Sequence, residues 1–182
     1  MRRMLVISVS LALVAVSEGF SYTTCDHVKN PIVSINSTTI HPTTLRMGEN
    51  LTLAFEATVH RSITSKLRVD LTIKKKHWFG NMWIPCLFKL GSCSYKVCDL
   101  LSSMYATKGV QCPLLLDNSN VNCTCPFQPG SYKVEKETFQ LPTVPAGFGL
   151  AVRGNYTVEA KLVDTTTKKV VGCYAMTVSI KA

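Results

Sequence analysis

From Leu51 onward the odd positions Leu51, Leu53, Phe55, Ala57 and Val59 are apolar, with Thr52, Glu56, Thr58 and His60 between them. A period of two puts one face on a core and the other in water, which predicts a half-buried strand. After a polar gap, Leu67, Val69, Leu71 and Ile73 repeat the pattern against Lys66, Arg68, Asp70, Thr72 and Lys74. Two such runs in succession predict a long antiparallel hairpin. A second hairpin is predicted where Tyr156, Val158, Ala160 and Leu162 alternate with polar residues and, after a polar loop, Tyr174, Met176, Val178 and Ile180 do the same. Shorter strands are expected at Ile32 to Ile40 and Ser131 to Val134, with Val28 to Ile32 opening the first edge. Only Asp99 to Tyr105 reads as a short helix, with Asp99 placed to cap it. The fold class is therefore all-β, a two-sheet antiparallel sandwich of about seven strands.

The 182-residue chain begins with Arg2 and Arg3, an apolar run from Leu5 to Val16, and the small-residue stretch Ser17-Glu18-Gly19. This predicts a cleaved signal peptide over residues 1–19 and a single domain over residues 20–182. No later stretch reaches the roughly 18 apolar residues of a membrane span. Eight cysteines follow the leader, at positions 25, 86, 93, 98, 112, 123, 125 and 173. In an oxidising compartment they read as four disulfides, with about 105 pairings open. A zinc site is disfavoured, because there is no Cys-x-x-Cys pair and no histidine at ligand spacing, and no metal or cofactor is expected. Sequons at Asn36, Asn50, Asn122 and Asn155 point to the same secretory route, outside the cell or to a lysosome.

The 20 basic and 11 acidic side chains, less Arg2, Arg3 and Glu18, leave 18 and 10, an excess of eight positive charges. In this compartment a basic surface fits anionic lipid head groups, glycans or acidic proteins, and nucleic acid is not expected. Solubility alone explains the charge equally well. A bridge between Cys25 and Cys173 would close almost the whole domain and contribute about 5 kcal/mol in the chain-entropy model. One reason for such reinforcement is an internal cavity, since unfilled volume costs roughly 24 cal/mol per Å³. Extracellular durability is the other.

Trp78-Phe79-Gly80-Asn81-Met82-Trp83 follows Lys74-Lys75-Lys76 at the end of a strand. Cations beside aromatic rings suit a membrane interface, where lysines meet phosphates and rings enter the head-group boundary. The competing reading packs Trp78 or Trp83 into the core. Leu141 to Leu150 is a second apolar loop, broken by prolines and glycines. If the two share one end of the sandwich, Trp78, Phe79, Met82 and Trp83 would face Val144, Phe148 and Leu150 across a lipid-admitting mouth. Inward residues such as Leu53, Phe55, Val69, Leu71, Val158 and Met176 line either a cavity or a filled core.

Ile84-Pro85-Cys86 with Gly91-Ser92-Cys93, then Cys98-Asp99-Leu100-Leu101, Cys123-Thr124-Cys125-Pro126-Phe127, Gly130-Ser131-Tyr132 and Gly154-Asn155-Tyr156 resemble the ganglioside GM2 activator family. The order and spacing of all eight cysteines match across Cys25 to Lys181. The resemblance implies the MD-2-related lipid-recognition fold, a β-cup whose sheets splay to admit acyl chains. It implies the pairs Cys25–Cys173, Cys86–Cys93, Cys98–Cys125 and Cys112–Cys123. It further implies extraction of glycosphingolipids or other lipids from membranes and their presentation to a hydrolase, without catalysis. The rim residues and the more basic charge depart from the mammalian pattern.

No catalytic constellation competes strongly, although two carboxylates brought together by folding would still make a glycosidase. His27, His41, His60 and His77 lie apart, there is no Gly-x-Ser-x-Gly elbow, and paired cysteines leave no thiol nucleophile. The alternative function is a secreted recognition, signalling or immune module that binds a receptor or microbial lipid with the same basic, aromatic surface.

Overall fold

The computed structural model describes residues 20–26, 28–87, 89–100, 102, 114–115, 125–141, 143–144 and 149–181. The predicted leader, residues 1–19, lies outside them. Eleven strands occur among the described residues: β1 (Ser21–Thr24), β2 (Val33–His41), β3 (Thr44–Arg46), β4 (Asn50–Val59), β5 (Leu67–His77), β6 (Gly80–Trp83), β7 (Ser94–Lys96), β8 (Leu114–Leu115), β9 (Gly130–Gln140), β10 (Gly154–Asp164) and β11 (Val170–Lys181). The additions to the expected seven are short pieces. One sheet runs β1-β11-β10-β5-β6, with β3 beside β11 and β7 beside β5; the other runs β2-β4-β9-β8. The pairings are antiparallel except β3 with β11.

The C-terminal hairpin forms as its pattern predicts, with Tyr156 opposite Val178 and Ala160 opposite Tyr174. Its turn is held by Asp164, whose Oδ1 accepts the backbone N–H groups of Thr166 at 2.8 Å and Thr167 at 3.0 Å. Those two donors hold the Asp164 carboxyl below its ordinary range.

The expected hairpin of β4 with β5 does not form. β4 pairs with β2 and β9 in the second sheet, whereas β5 pairs with β10, β6 and β7 in the first. The connection between them explains the difference. Ile63 and Leu67 are buried, and Ile63 exchanges two 2.9 Å backbone hydrogen bonds with Phe127. The link is exposed except at Ile63, which tucks inward and pairs with Phe127, so the chain passes from one sheet to the other instead of reversing within one. Alternation reports which side of a strand is buried, and two strands facing each other across a core carry the same signal as two strands side by side.

Smaller differences follow from local contacts. Val28 to Ile32 is not a strand, and β1 forms that edge; Ile32 is buried, its N–H donating to Val171 O and its carbonyl accepting from His60 N–H. β9 continues past Val134 to Gln140 beside β4. Residues 97–100 and 102 are helical, so Asp99 sits inside the first turn and does not cap it. A second helical turn, Gly149–Val152, closes the proline- and glycine-rich segment.

Among the described residues three disulfides are present: Cys25–Cys173, Cys86–Cys93 and Cys98–Cys125. Cys112 and Cys123 lie outside the described residues. The core gathers at one end of the sandwich, around Ile32, Val59, Ile63, Leu67, Val69, Val97, Phe127 and Tyr132. There the Tyr174 hydroxyl of β11 donates to the Val33 carbonyl of β2 and ties the two sheets together.

Candidate functional site

The burial of apolar side chains fades along β4, β5 and β11 toward one end of the sandwich. On β4, Val59 and Ala57 are buried, whereas Phe55, Leu53 and Leu51 are only half-buried; on β5 the change falls between Val69 and Leu71. On β11, Tyr174 is buried while Met176 and Val178 are not. Side chains that alternate inward yet keep contact with solvent mark sheets that diverge. The sandwich is closed at the Val59 and Leu67 end and open at the other.

Between the sheets lies an apolar cavity of about 250 Å³. The second sheet supplies Val33, Ile35, Phe55, Ala57, Val59 and Tyr132; the first supplies Leu67, Ala160, Leu162 and Tyr174; Ile63, Val97 and Phe127 complete the wall. Of the inward residues singled out in the sequence, Phe55 lines the cavity directly, Val69 is packed in the adjoining core, and Leu53, Leu71, Val158 and Met176 continue half-buried toward the open end. At roughly 24 cal/mol per Å³ an enclosed void of 250 Å³ costs about 6 kcal/mol, which is an upper bound for this half-open one. The Cys25–Cys173 bridge closes a loop of 148 residues, which contributes about 5 kcal/mol and offsets most of that cost.

At the open end, β5 and β6 form a short hairpin with Trp78 and Phe79 at its tip. Trp78 is 95% exposed, Phe79 66%, Trp83 55% and Met82 45%, so none of them packs into the core. The rings make an aromatic cluster of their own. Phe79 stacks on His77 at 5.1 Å between centroids and meets Trp78 edge-on at 5.3 Å. Met82 and Trp83 belong to β6, with Met82 opposite Lys75 and Trp83 opposite Lys74, and so face opposite sides of the sheet.

The second apolar segment begins and ends at this same end. Leu141 N–H donates to Glu49 O, in the turn between β3 and β4. Val144 is half-buried; Phe148 lies outside the described residues; Leu150 falls in the Gly149–Val152 turn. That turn is fastened to the first sheet by two donors, Lys75 Nζ to Ala151 O at 2.7 Å and Tyr156 hydroxyl to Val152 O at 2.6 Å. Burial pushes the Tyr156 phenol up, which keeps it a neutral donor.

The lysine cluster needs correction. Lys74 and Lys76 are exposed, but Lys75 is 8% exposed and points to the cup side of β5. Strand alternation alone separates them: Lys75 shares its face with Leu71 and Ile73, whose inward side forms the cup. Two apolar residues not singled out in the sequence, Leu87 and Leu90, are 60% and 74% exposed in the loop closed by Cys86–Cys93. A bridge spanning so few residues leaves no interior in which to hide them. Among the sequons, Asn36 and Asn50 are exposed, Asn155 is half-buried with its Oδ1 accepting from Ser179 Oγ, and Asn122 lies outside the described residues.

Among the described residues no helix is long and apolar enough to cross a membrane. The nearest approach to a metal cluster joins Glu159 to Cys25 and Cys173, whose sulfurs are already bonded to each other.

Residues 19–180 match the family model of the ML domain. The chain is 33% identical over 166 residues to the ganglioside GM2 activator of Mus musculus, covering 90% of this chain and 82% of that one. It is 32% identical over 166 residues to the ganglioside GM2 activator of Macaca fascicularis, covering 90% and 84%. Among solved structures, a Niemann-Pick type C2 protein from Japanese carpenter ant aligns with a TM-score of 0.42 and 13% identity, over 88% of this chain and 99% of that one. A two-sheet cup with an apolar interior, matched nearly end to end by the family model and by close relatives, places the chain in the ML-domain family of lipid-binding proteins that are not enzymes.

Proposed function

We propose that the protein is a lipid carrier of the secretory route, working outside the cell or in a lysosome. It takes a glycosphingolipid or phospholipid from an anionic membrane surface and presents it to a partner such as a glycoside hydrolase. The observation that carries this reading is the meeting, at one end of the molecule, of a splayed apolar interior and an exposed aromatic hairpin. Trp78 and Phe79 enter the head-group boundary while Lys74 and Lys76 meet lipid phosphates. The lipid chains then exchange the bilayer for the space between the sheets, so little apolar surface meets water during transfer. Val144, in the segment fastened to Glu49 through Leu141 N–H, belongs to the opposite rim. The signal peptide over residues 1–19 and glycans at the exposed Asn36 and Asn50 fit this route, and the family model begins where the leader would end. A glycosphingolipid is the first ligand class to examine, since both relatives are named for ganglioside GM2.

The test is native mass spectrometry of the protein secreted from eukaryotic cells and deglycosylated, followed by lipid identification after denaturation. A stoichiometric lipid released on unfolding is the expected result. A bare mass after incubation with mixed glycolipids and phospholipids overturns the carrier reading and favours surface recognition of a receptor or microbial lipid.

A further inference from the structure

Lys75 is a charged side chain where an apolar one would be expected. It lies on the cup face of β5 between Tyr156 of β10 and Met82 of β6, and it is 8% exposed. Its seat is built for it. A Cβ on Gly154, whose φ is +149°, would stand 2.7 Å from Lys75 Cε. Of its three ammonium donors, one goes to Ala151 O at 2.7 Å, and Nζ lies 5.7 Å from the centroid of the Tyr156 ring. No ion pair of Lys75 is found among the described residues. Burying an ammonium without a counter-ion is costly, and an anion at this point removes that cost.

Two positions along the same face stands His77, whose Nε2 is shielded from solvent with no hydrogen-bond partner among the described residues. An ammonium with two donors beyond its bond to Ala151 O and an unpartnered His77 Nε2, their residues roughly 6.6 Å apart along one face of the strand, fit a head group with several acceptor oxygens. The spacing to the apolar cavity sets the rest of the ligand. Ala160, which lines the cavity, is four residues beyond Tyr156 on β10, about 13 Å away. One leaflet of a bilayer core is about 15 Å deep, so an acyl chain anchored at Lys75 ends inside the cavity.

We propose that Lys75, with His77 beside it, anchors the phosphate of an anionic lipid whose chains run down the inner face of the first sheet into the apolar cavity. This rests on the carrier reading and adds the charge class of the cargo.

The experiment compares equilibrium binding of dioleoyl phosphatidic acid, dioleoylglycerol and glycerol 3-phosphate to the full secreted protein and to Lys75→Met, Lys75→Arg and His77→Leu. The wild type is expected to prefer the phosphatidic acid over the neutral lipid by about tenfold or more, as for a hydrogen-bonded charge pair, and to bind glycerol 3-phosphate far more weakly than either. Lys75→Met should lose the preference while still holding dioleoylglycerol, Lys75→Arg should keep most of it, and His77→Leu should reduce it about threefold. Equal affinity of the wild type for the two lipids overturns the anchor and leaves the carrier intact. An unchanged preference in folded Lys75→Met does the same. Glycerol 3-phosphate binding as tightly as the lipid assigns the site to free phosphate and overturns the lipid source. Binding of neither lipid overturns the anchor, and it overturns the carrier reading too only if a ganglioside added in the same assay is not bound either.

Discussion

The two ends of the sandwich are made from the same strands and behave as different materials. At the closed end Val59, Ile63, Leu67, Phe127 and Tyr132 are buried and wall the deep end of the apolar cavity, and a tyrosine hydroxyl joins one sheet to the other. Toward the open end the same alternation continues through Leu53, Leu71, Val158 and Met176, but these side chains are only half-buried. Stability is concentrated in the first region and exchange with a membrane in the second. A strand thus serves both purposes by changing what lies across from it, without changing its pattern.

The largest effect should come from breaking the closed end. Phe127→Ala removes a buried ring packed 5.8 Å from Tyr132 and should cost about 3–5 kcal/mol, read as a lower urea midpoint. A loss below about 1 kcal/mol would mean that the core does not lie there. Next, Trp78→Ala with Phe79→Ala should leave the urea midpoint within about 0.5 kcal/mol, because both rings are exposed, yet slow lipid transfer between vesicles by tenfold or more. Unchanged transfer would remove the hairpin from the mechanism.

A subtler change blurs the boundary between the regions. Ala160→Leu places a larger side chain in the cavity and should raise stability by about 1–2 kcal/mol while weakening lipid uptake. Higher stability with undiminished uptake would show that the cavity is not where chains reside. The smallest effect is one of pH. Asp164 is held below its ordinary range by the two backbone donors of its turn, so its contribution is present above the unfolded value near 3.9 and is lost as pH falls through the folded one. The difference in urea midpoint between wild type and Asp164→Ala should therefore stay constant from pH 7 to 5 and shrink below about pH 4. A difference that shrinks already between pH 7 and 5 would contradict this sign.

Much of the fold was legible because alternation in β4, β5, β10 and β11 is strong enough to report burial directly. What it did not report was partnership. Ile63 falls in what reads as an ordinary polar link between two runs, yet its burial and pairing with Phe127 mark where the chain passes from one sheet to the other. The short strands β1, β3, β6 and β7 carry too few residues for a period to show. Three of the cysteine pairs implied by family resemblance are those observed. At the site, the exposure of Trp78 and Phe79 followed from aromatic residues placed where a strand reverses. The seat of Lys75 did not follow from its place in a run of three lysines, because charge composition is blind to which face a strand presents. Reading β5 as continuing through the lysines would have separated Lys75 from its neighbours.

The Cys25–Cys173 bridge and the place of β11 also bear on how the protein is made. β11 is the last strand of the chain, and it pairs with β1, β10 and β3. The second sheet has all its described strands available once β9 has emerged, whereas the first lacks its β11 partner until residues 170–181 have been made. Chains are elongated at about 5–20 residues per second, so β1 and Cys25 wait on the order of ten seconds for their partners. During that interval the apolar faces of β5 and β10 have no completed sheet around them, which makes a ribosome-bound chain stopped before β11 the form most dependent on chaperones.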